Sequence, residues 1–150
     1  MQDTGFQPQT ILLAEDDDND VLLIRRTLEK SRISNPLQVV CDGEEVLGYL
    51  AGEGHFADRQ SHPFPVLMLL DLKLPKKSGF EIIEAVRRHP QWCSLPIVAF
   101  VSSKGHPDIE RARNLGANAC LVKPPTFEAL VEVLKSLDAQ WAIVGKRPTP

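Results

Sequence analysis

Five short apolar runs, each followed by a segment with helical periodicity, limit the folds open to this chain more than any other feature. "TILLAE" (10–15), "LQVVC" (37–41), "VLMLL" (66–70), "PIVAFV" (96–101) and "ACLV" (119–122) lack a regular polar alternation. A strand with one solvated face alternates; strands apolar on both faces belong to parallel sheets covered by helices on either side. Between the runs, Val21, Ile24 and Leu28 mark one face of a helix with an acidic start, and Asp42 and Gly43 form a turn into a second bearing Val46, Leu47 and Leu50. "SGFE" (78–81) reads as a capping box opening a helix that carries Phe80, Ile83 and Val86. A fourth helix runs through Ile109, Ala112 and Leu115 to a terminating Gly116, and the last has Phe127, Leu130, Val131, Leu134, Leu137 and Trp141 as its stripe. "GEGHFADRQSHPFP" (52–65) and "GKRPTP" (145–150) read as loop and tail. Five βα units in succession place the chain in the α/β class.

With 150 residues, 43% of them apolar and 25% charged, the chain suits one globular domain, expected over 10–138 between a tail (1–9) and a C-terminal extension (139–150). The net charge of -3 comes from interleaved acids and bases, which excludes a basic stripe for phosphate neutralisation and hence direct nucleic-acid contact. The N-terminus lacks a charged region leading into an apolar core, and no apolar stretch approaches bilayer-spanning length, so a cytoplasmic location without membrane contact is expected. Cys41, Cys93 and Cys120 are odd in number and irregularly spaced, which fits buried free thiols better than disulfides. His55, His62, His89 and His106 have no metal-binding spacing and read as solvated surface residues.

Open parallel sheets bind ligands outside the carboxyl ends of their strands, where strand order reverses. The residues ending the strands are therefore the informative ones: Glu15 and Asp16 after the first, Asp71 after the third and Lys123 after the fifth. Singly, an acid opening a helix is a dipole partner, a strand-end aspartate is a turn residue, and a lysine is solvated. Three separate segments delivering them to one rim is a more demanding coincidence. A phosphatase with an aspartyl nucleophile would want a second acid where Lys73 stands, and neither GxGxxG nor GxxxxGK occurs. A flavodoxin-like electron carrier would share the architecture without needing Asp71 and Lys123.

"ILLAEDDDNDV", "MLLDLKLPKKSG" and "LGANACLVKP" resemble, in order and placement, the three signatures of response-regulator receiver domains, and the resemblance extends over about residues 10 to 138. It implies a flavodoxin-like (βα)5 fold whose five-stranded parallel sheet has the order 2-1-3-4-5, with helices on both faces. It also implies Asp71 as phosphoryl acceptor, Asp16 as a direct Mg2+ ligand, Glu15 as a ligand through water, the main-chain carbonyl of Lys73 as a further ligand, and Lys123 as partner of the phosphoryl group. Converging carboxylates repel one another unless a divalent cation joins them, and magnesium takes oxygen ligands while keeping several waters. Such a protein catalyses only its own phosphorylation and dephosphorylation, and is not expected to be an enzyme.

Two positions depart from the family pattern. Val101 falls where receivers usually carry a threonine or serine that binds the phosphoryl group, and Cys120 where a tyrosine or phenylalanine follows that hydroxyl inward. Ser102 can supply the hydroxyl only if the strand bulges or ends early, because adjacent strand side chains face opposite ways. These departures support an alternative, a degenerate receiver acting as a phosphorylation-independent interaction module. The short stretch after the last helix implies a stand-alone receiver that signals by contact. "LDLKLPKKSGFE", "SSKGHPDIERARNLGAN", the long loop before the third strand and a late tryptophan are similar to the receivers paired with cyanobacterial and bacterial phytochrome histidine kinases. Such a kinase is the implied partner. A homodimer through the last helix, strand five and the tail, burying Trp141 and Ile143, is the expected assembly.

Overall fold

The computed structural model describes residues 9–31, 33–102, 106–123 and 125–136. Strands β1 (Ile11–Ala14), β2 (Leu37–Val40), β3 (Leu67–Asp71), β4 (Ile97–Val101) and β5 (Ala119–Val122) alternate with helices α1 (Asp18–Lys30), α2 (Gly43–Ala51), α3 (Gly79–Arg88), α4 (His106–Leu115) and α5 (Phe127–Ser136). All strand pairs are parallel and the order is β2-β1-β3-β4-β5. The expected (βα)5 topology is thus the observed one. The chain leaves β1 toward β2 on one side and returns to β3 on the other, so the order reverses between the carboxyl ends of β1 and β3.

Alternate residues of the strands feed two separate cores. Leu12, Met68, Leu70, Ile97 and Ala99 pack with α2, α3 and Ala112 of α4. Ile11, Leu13, Leu67, Leu69 and Phe100 pack with Ile24 and Leu28 of α1 and Leu130 and Leu134 of α5. Uniformly apolar strands are what this two-sided burial requires. The capping box is present, with Ser78 Oγ accepting from Glu81 N and the Glu81 carboxylate accepting from Ser78 N.

Two local expectations are corrected. Cys41 and Cys93 are free thiols but exposed, since Cys41 lies just past the end of β2 and Cys93 in the turn after α3; only Cys120 is partly buried. His62 is not a solvated histidine. Its ring packs edge-on against Tyr49 and Phe56, and its Nδ1 is buried. The 52–65 loop is also more ordered than its composition suggests: Arg59 donates to the carbonyls of Tyr49, Leu50 and His62, capping the end of α2 where Gly52 takes a φ of 69°. Arg87 does the same service at the far end of the sheet, donating to the carbonyls of Cys93, Leu95 and Gly116 and to Asn118 Oδ1.

Among the described residues no helix is long and apolar enough to cross a membrane. Trp141 and Ile143, on which the dimer expectation rests, and the helix-stripe residue Leu137 lie outside the described residues, and nothing of the Phe127 side chain is described.

Candidate functional site

Glu15 is the first residue after β1, its N–H donating to the Val40 carbonyl at 3.0 Å, and Asp71 is the last residue of β3. The strand ends therefore hold both carboxylates at the β1/β3 switch point, almost wholly buried at 1% and 5% exposure. Asp16, the next residue, is exposed. One carboxylate oxygen from each of Glu15, Asp16 and Asp71 lies within 4.8 Å of the others. Asp71 Oδ1 accepts from Lys73 N at 3.0 Å, which curls the chain so that Lys73 begins the loop bordering the crevice.

That loop is pinned from below. Gly79 N donates to the Leu72 carbonyl at 2.9 Å, and a Cβ on Gly79 would lie 2.6 Å from Leu72 Cα and 2.9 Å from the Asp71 carbonyl oxygen. Only glycine lets α3 begin so close to β3. At the loop's crown Lys77 N donates to the Pro75 carbonyl around Lys76, a non-glycine residue at φ 70°, whose ammonium lies 3.5 Å from Asp42 Oδ2.

Lys123 closes the crevice from the β5 side. Its N–H donates to the Val101 carbonyl at 2.8 Å, and its ammonium lies 2.8 Å from Asp20 Oδ2, 3.0 Å from Glu15 Oε1 and 3.3 Å from Asp71 Oδ2. The electrostatics follow from the crowding. Burial, and then the charge of Asp71, push the Glu15 carboxyl up from its ordinary 4.5 to about 7 against the opposing pull of Lys123. For Lys123 burial works against the charge, but the hydrogen bonds to Asp20 and Glu15 and the charges of Asp71 and Glu15 outweigh it and hold its pKa above the ordinary lysine value.

These donors fit a hard divalent cation. All are oxygens, two are buried and fixed by the strands, and the third is open to solvent, leaving room for retained waters. Burial first, and repulsion by Asp71 second, disfavour the ionised Glu15, and a bound cation would offset both.

The two departing positions lie on the α2–α4 side of the sheet, at and near the carboxyl ends of β4 and β5. Val101 is the last residue of β4, regularly paired with Val122 and buried in the α2–α4 core, and Cys120 packs against the same core with its thiol 3.8 Å from the Ile109 carbonyl. Burial raises the Cys120 thiol. Ser102 is exposed just past the strand; β4 ends at Val101 without a bulge. Sequence reasoning brought Glu15, Asp16, Asp71 and Lys123 to one rim, as the structure does, but missed Asp20. The available signal was an acid in the first helical turn, one turn past Asp16.

The family model for the response regulator receiver domain matches residues 11–135. The chain is 30% identical over 141 residues to the response regulator Rcp1 of Synechocystis sp., covering 94% of each. Among solved structures, the bacteriophytochrome response regulator RtBRR is 41% identical with a TM-score of 0.82, covering 93% of this chain and 84% of that one. The Mn(2+)-bound form of Rcp1 superposes with a TM-score of 0.72 at 29% identity, covering 95% of this chain and 100% of that one. The phosphorylated cyanobacterial phytochrome response regulator RcpA gives 0.73 at 30% identity, covering 94% and 99%.

Proposed function

The chain belongs to the response regulator receiver domain family, and from that premise we propose that it accepts a phosphoryl group on Asp71 from a phytochrome-type histidine kinase and signals by protein–protein contact. The observation that carries this reading is the buried Asp71 carboxylate flanked by Glu15 and Asp16 on one side and the Lys123 ammonium on the other. A carboxylate oxygen of Asp71 forms the new O–P bond while the N–P bond of a phosphohistidine breaks, the imidazole leaving with the electron pair and taking up a proton. Lys123 donates to a phosphoryl oxygen from its station beside Asp71 and offsets charge there. Glu15, Asp16, Asp71 and the Lys73 carbonyl would hold Mg2+, which when bound supplies charge neutralisation for the incoming phosphoryl oxygens. The burial of Asp71 limits access of water to the acceptor. On this reading the protein is a signalling element and not an enzyme acting on other molecules.

The test is phosphotransfer. Mixed with a phosphorylated phytochrome-type kinase and Mg2+, the chain should take up label that is acid-stable on the time scale of the assay and lost in alkali, as an acyl phosphate is. No uptake from such a kinase or from a small acyl phosphate overturns the acceptor reading.

A specific observation favours a second reading, a phosphorylation-independent interaction module: Val101 and Cys120 lack the hydroxyl and the ring of the usual switch. Replacing the hydroxyl by valine keeps shape but removes a charge-assisted hydrogen bond of about 1.5 to 3 kcal/mol from the phosphorylated state. A ligand shifts an equilibrium only by its differential interaction with the two states. Val101→Thr should therefore enlarge the amide chemical-shift response of the β4–α4 region to beryllium fluoride. A large response in the parent protein that the substitution leaves unchanged would sink this assignment.

On the phosphoryl-acceptor reading the chain is a cytoplasmic homodimer without nucleic-acid or membrane contact; the charge of -3 supports the absence of nucleic-acid contact, and Val122, 44% exposed on the edge strand β5, supports the dimer. Sedimentation at micromolar concentration should give a dimer for the full chain and monomers for a chain ending at residue 138 and for Trp141→Ala. Three equal monomers end the dimer proposal.

A further inference from the structure

An ammonium group has three N–H donors, and that of Lys123 meets three carboxylates. On the phosphoryl-acceptor reading, which this inference takes as its basis, two of those partners change during the reaction. Asp71 becomes an acyl phosphate, and Glu15 is claimed by the divalent ion. Asp20 alone keeps its charge and its place throughout, and at 2.8 Å it makes the shortest of the three contacts. We infer that Asp20 is a positioning residue that anchors the Lys123 ammonium beside Asp71 while the other two carboxylates change state.

The local structure fixes both ends of this contact. Glu15 Oε2 accepts from Asp17 N at 3.2 Å, and Asp17, the N-cap of α1, accepts from Asn19 N at 2.8 Å and Asp20 N at 3.1 Å. The first turn of α1 is thereby registered directly on the metal-site carboxylate. On the other side the Lys123 backbone is held to Val101. The side chains are 27% and 20% exposed, so the pair is shielded more than an ordinary surface ion pair and its geometry is better defined. An acid in a first helical turn also complements the helix dipole. Asp18 stands in the same turn, exposed, and separates the two roles by comparison.

Self-phosphorylation from acetyl phosphate, followed by intact-protein mass spectrometry across a Mg2+ series, reads the anchor. Asp20→Asn should lower the limiting rate at saturating Mg2+ by about three- to ten-fold while moving the half-saturating Mg2+ concentration less than about two-fold, because the reacting groups are misplaced and the ion's ligands are untouched. Asp18→Asn, with the same loss of charge on the same turn, should change neither. Asp20→Glu should restore part of the rate. On a Lys123→Gln background, Asp20→Asn should have no further effect, an interaction that a merely helix-stabilising role does not produce. Should Asp20→Asn fold poorly, the Asp20→Glu comparison with and without Lys123→Gln carries the same test. A limiting rate within two-fold of the parent, or full additivity with Lys123→Gln, overturns the anchor while leaving Asp71 as acceptor; a parent protein that takes up no phosphoryl group overturns the acceptor reading instead.

Discussion

Asp71→Asn should abolish phosphoryl uptake, from a partner kinase and from acetyl phosphate alike, with at least a hundred-fold fall in labelling that thermal unfolding shows is not a loss of fold. The amide keeps the shape of the side chain and can still accept from Lys73 N, but it has no anionic oxygen to attack phosphorus. Among the described residues the other crevice carboxylates are occupied or misplaced for substitution, Asp20 being held by Lys123. Glu15 is engaged by Asp17 N and Lys123, and Asp16 is exposed on the rim. Removal of Mg2+ by a chelator should have the same outcome in the parent protein, since Glu15 and Asp16 then repel the incoming phosphoryl oxygens. Undiminished alkali-labile labelling of the Asn variant, mapped to another residue, would remove Asp71 from its assigned role.

The second large effect is on stability. In the folded, metal-free protein Glu15 is held near 7 against an ordinary 4.5, by burial first and by Asp71 second. A carboxyl with a raised folded-state pKa contributes stability that is fully present below about 4.5 and is lost as pH rises through about 7, because the unfolded chain ionises it earlier. The difference corresponds to about 3 kcal/mol. Lys123 is charged throughout that window and adds no slope to it. Compared with Glu15→Gln, which cannot titrate, the parent protein without metal should therefore lose about 3 kcal/mol between pH 4.5 and 7.5, seen in urea unfolding. Mg2+ should stabilise the parent protein above pH 7 and do little below pH 5, where the protonated carboxyl is no ligand. A stability difference that is flat with pH would show that Glu15 is already ionised in the free protein and that the ion relieves no repulsion.

Much of this arrangement was legible because strand ends are few and chemically conspicuous. The apolar runs 66–70 and 96–101 fixed the sheet, and the residues just beyond them were bound to share a rim once the strands were parallel. What stayed illegible depends on distances between segments. Asp20 looks like any helix-opening acid until α1 is laid beside β5. His62 looks like a loop histidine until Tyr49 and Phe56 are seen to hold it. Cys41 reads as interior because it adjoins an apolar run, yet β2 stops one residue before it. Apolar pattern reports which face a residue takes inside an element and says little about the residue at its end.

The two exposed cysteines turn out to stand at opposite rims of the sheet: Cys41 follows β2 at the crevice end, while Cys93 lies in the turn leading into β4 at the other. Burial, and after it the charges of Glu45, Asp18, Asp42 and Asp16, hold the Cys41 thiol above its ordinary pKa, so its alkylation rate senses the same acidic field that the crevice presents to an ion. Cys93 lies away from the crevice, its carbonyl accepting from Arg87. A single thiol-reactive dye applied to the unaltered protein thus carries its own reference channel, one site reading the electrostatic state of the crevice and the other the general reactivity of the reagent.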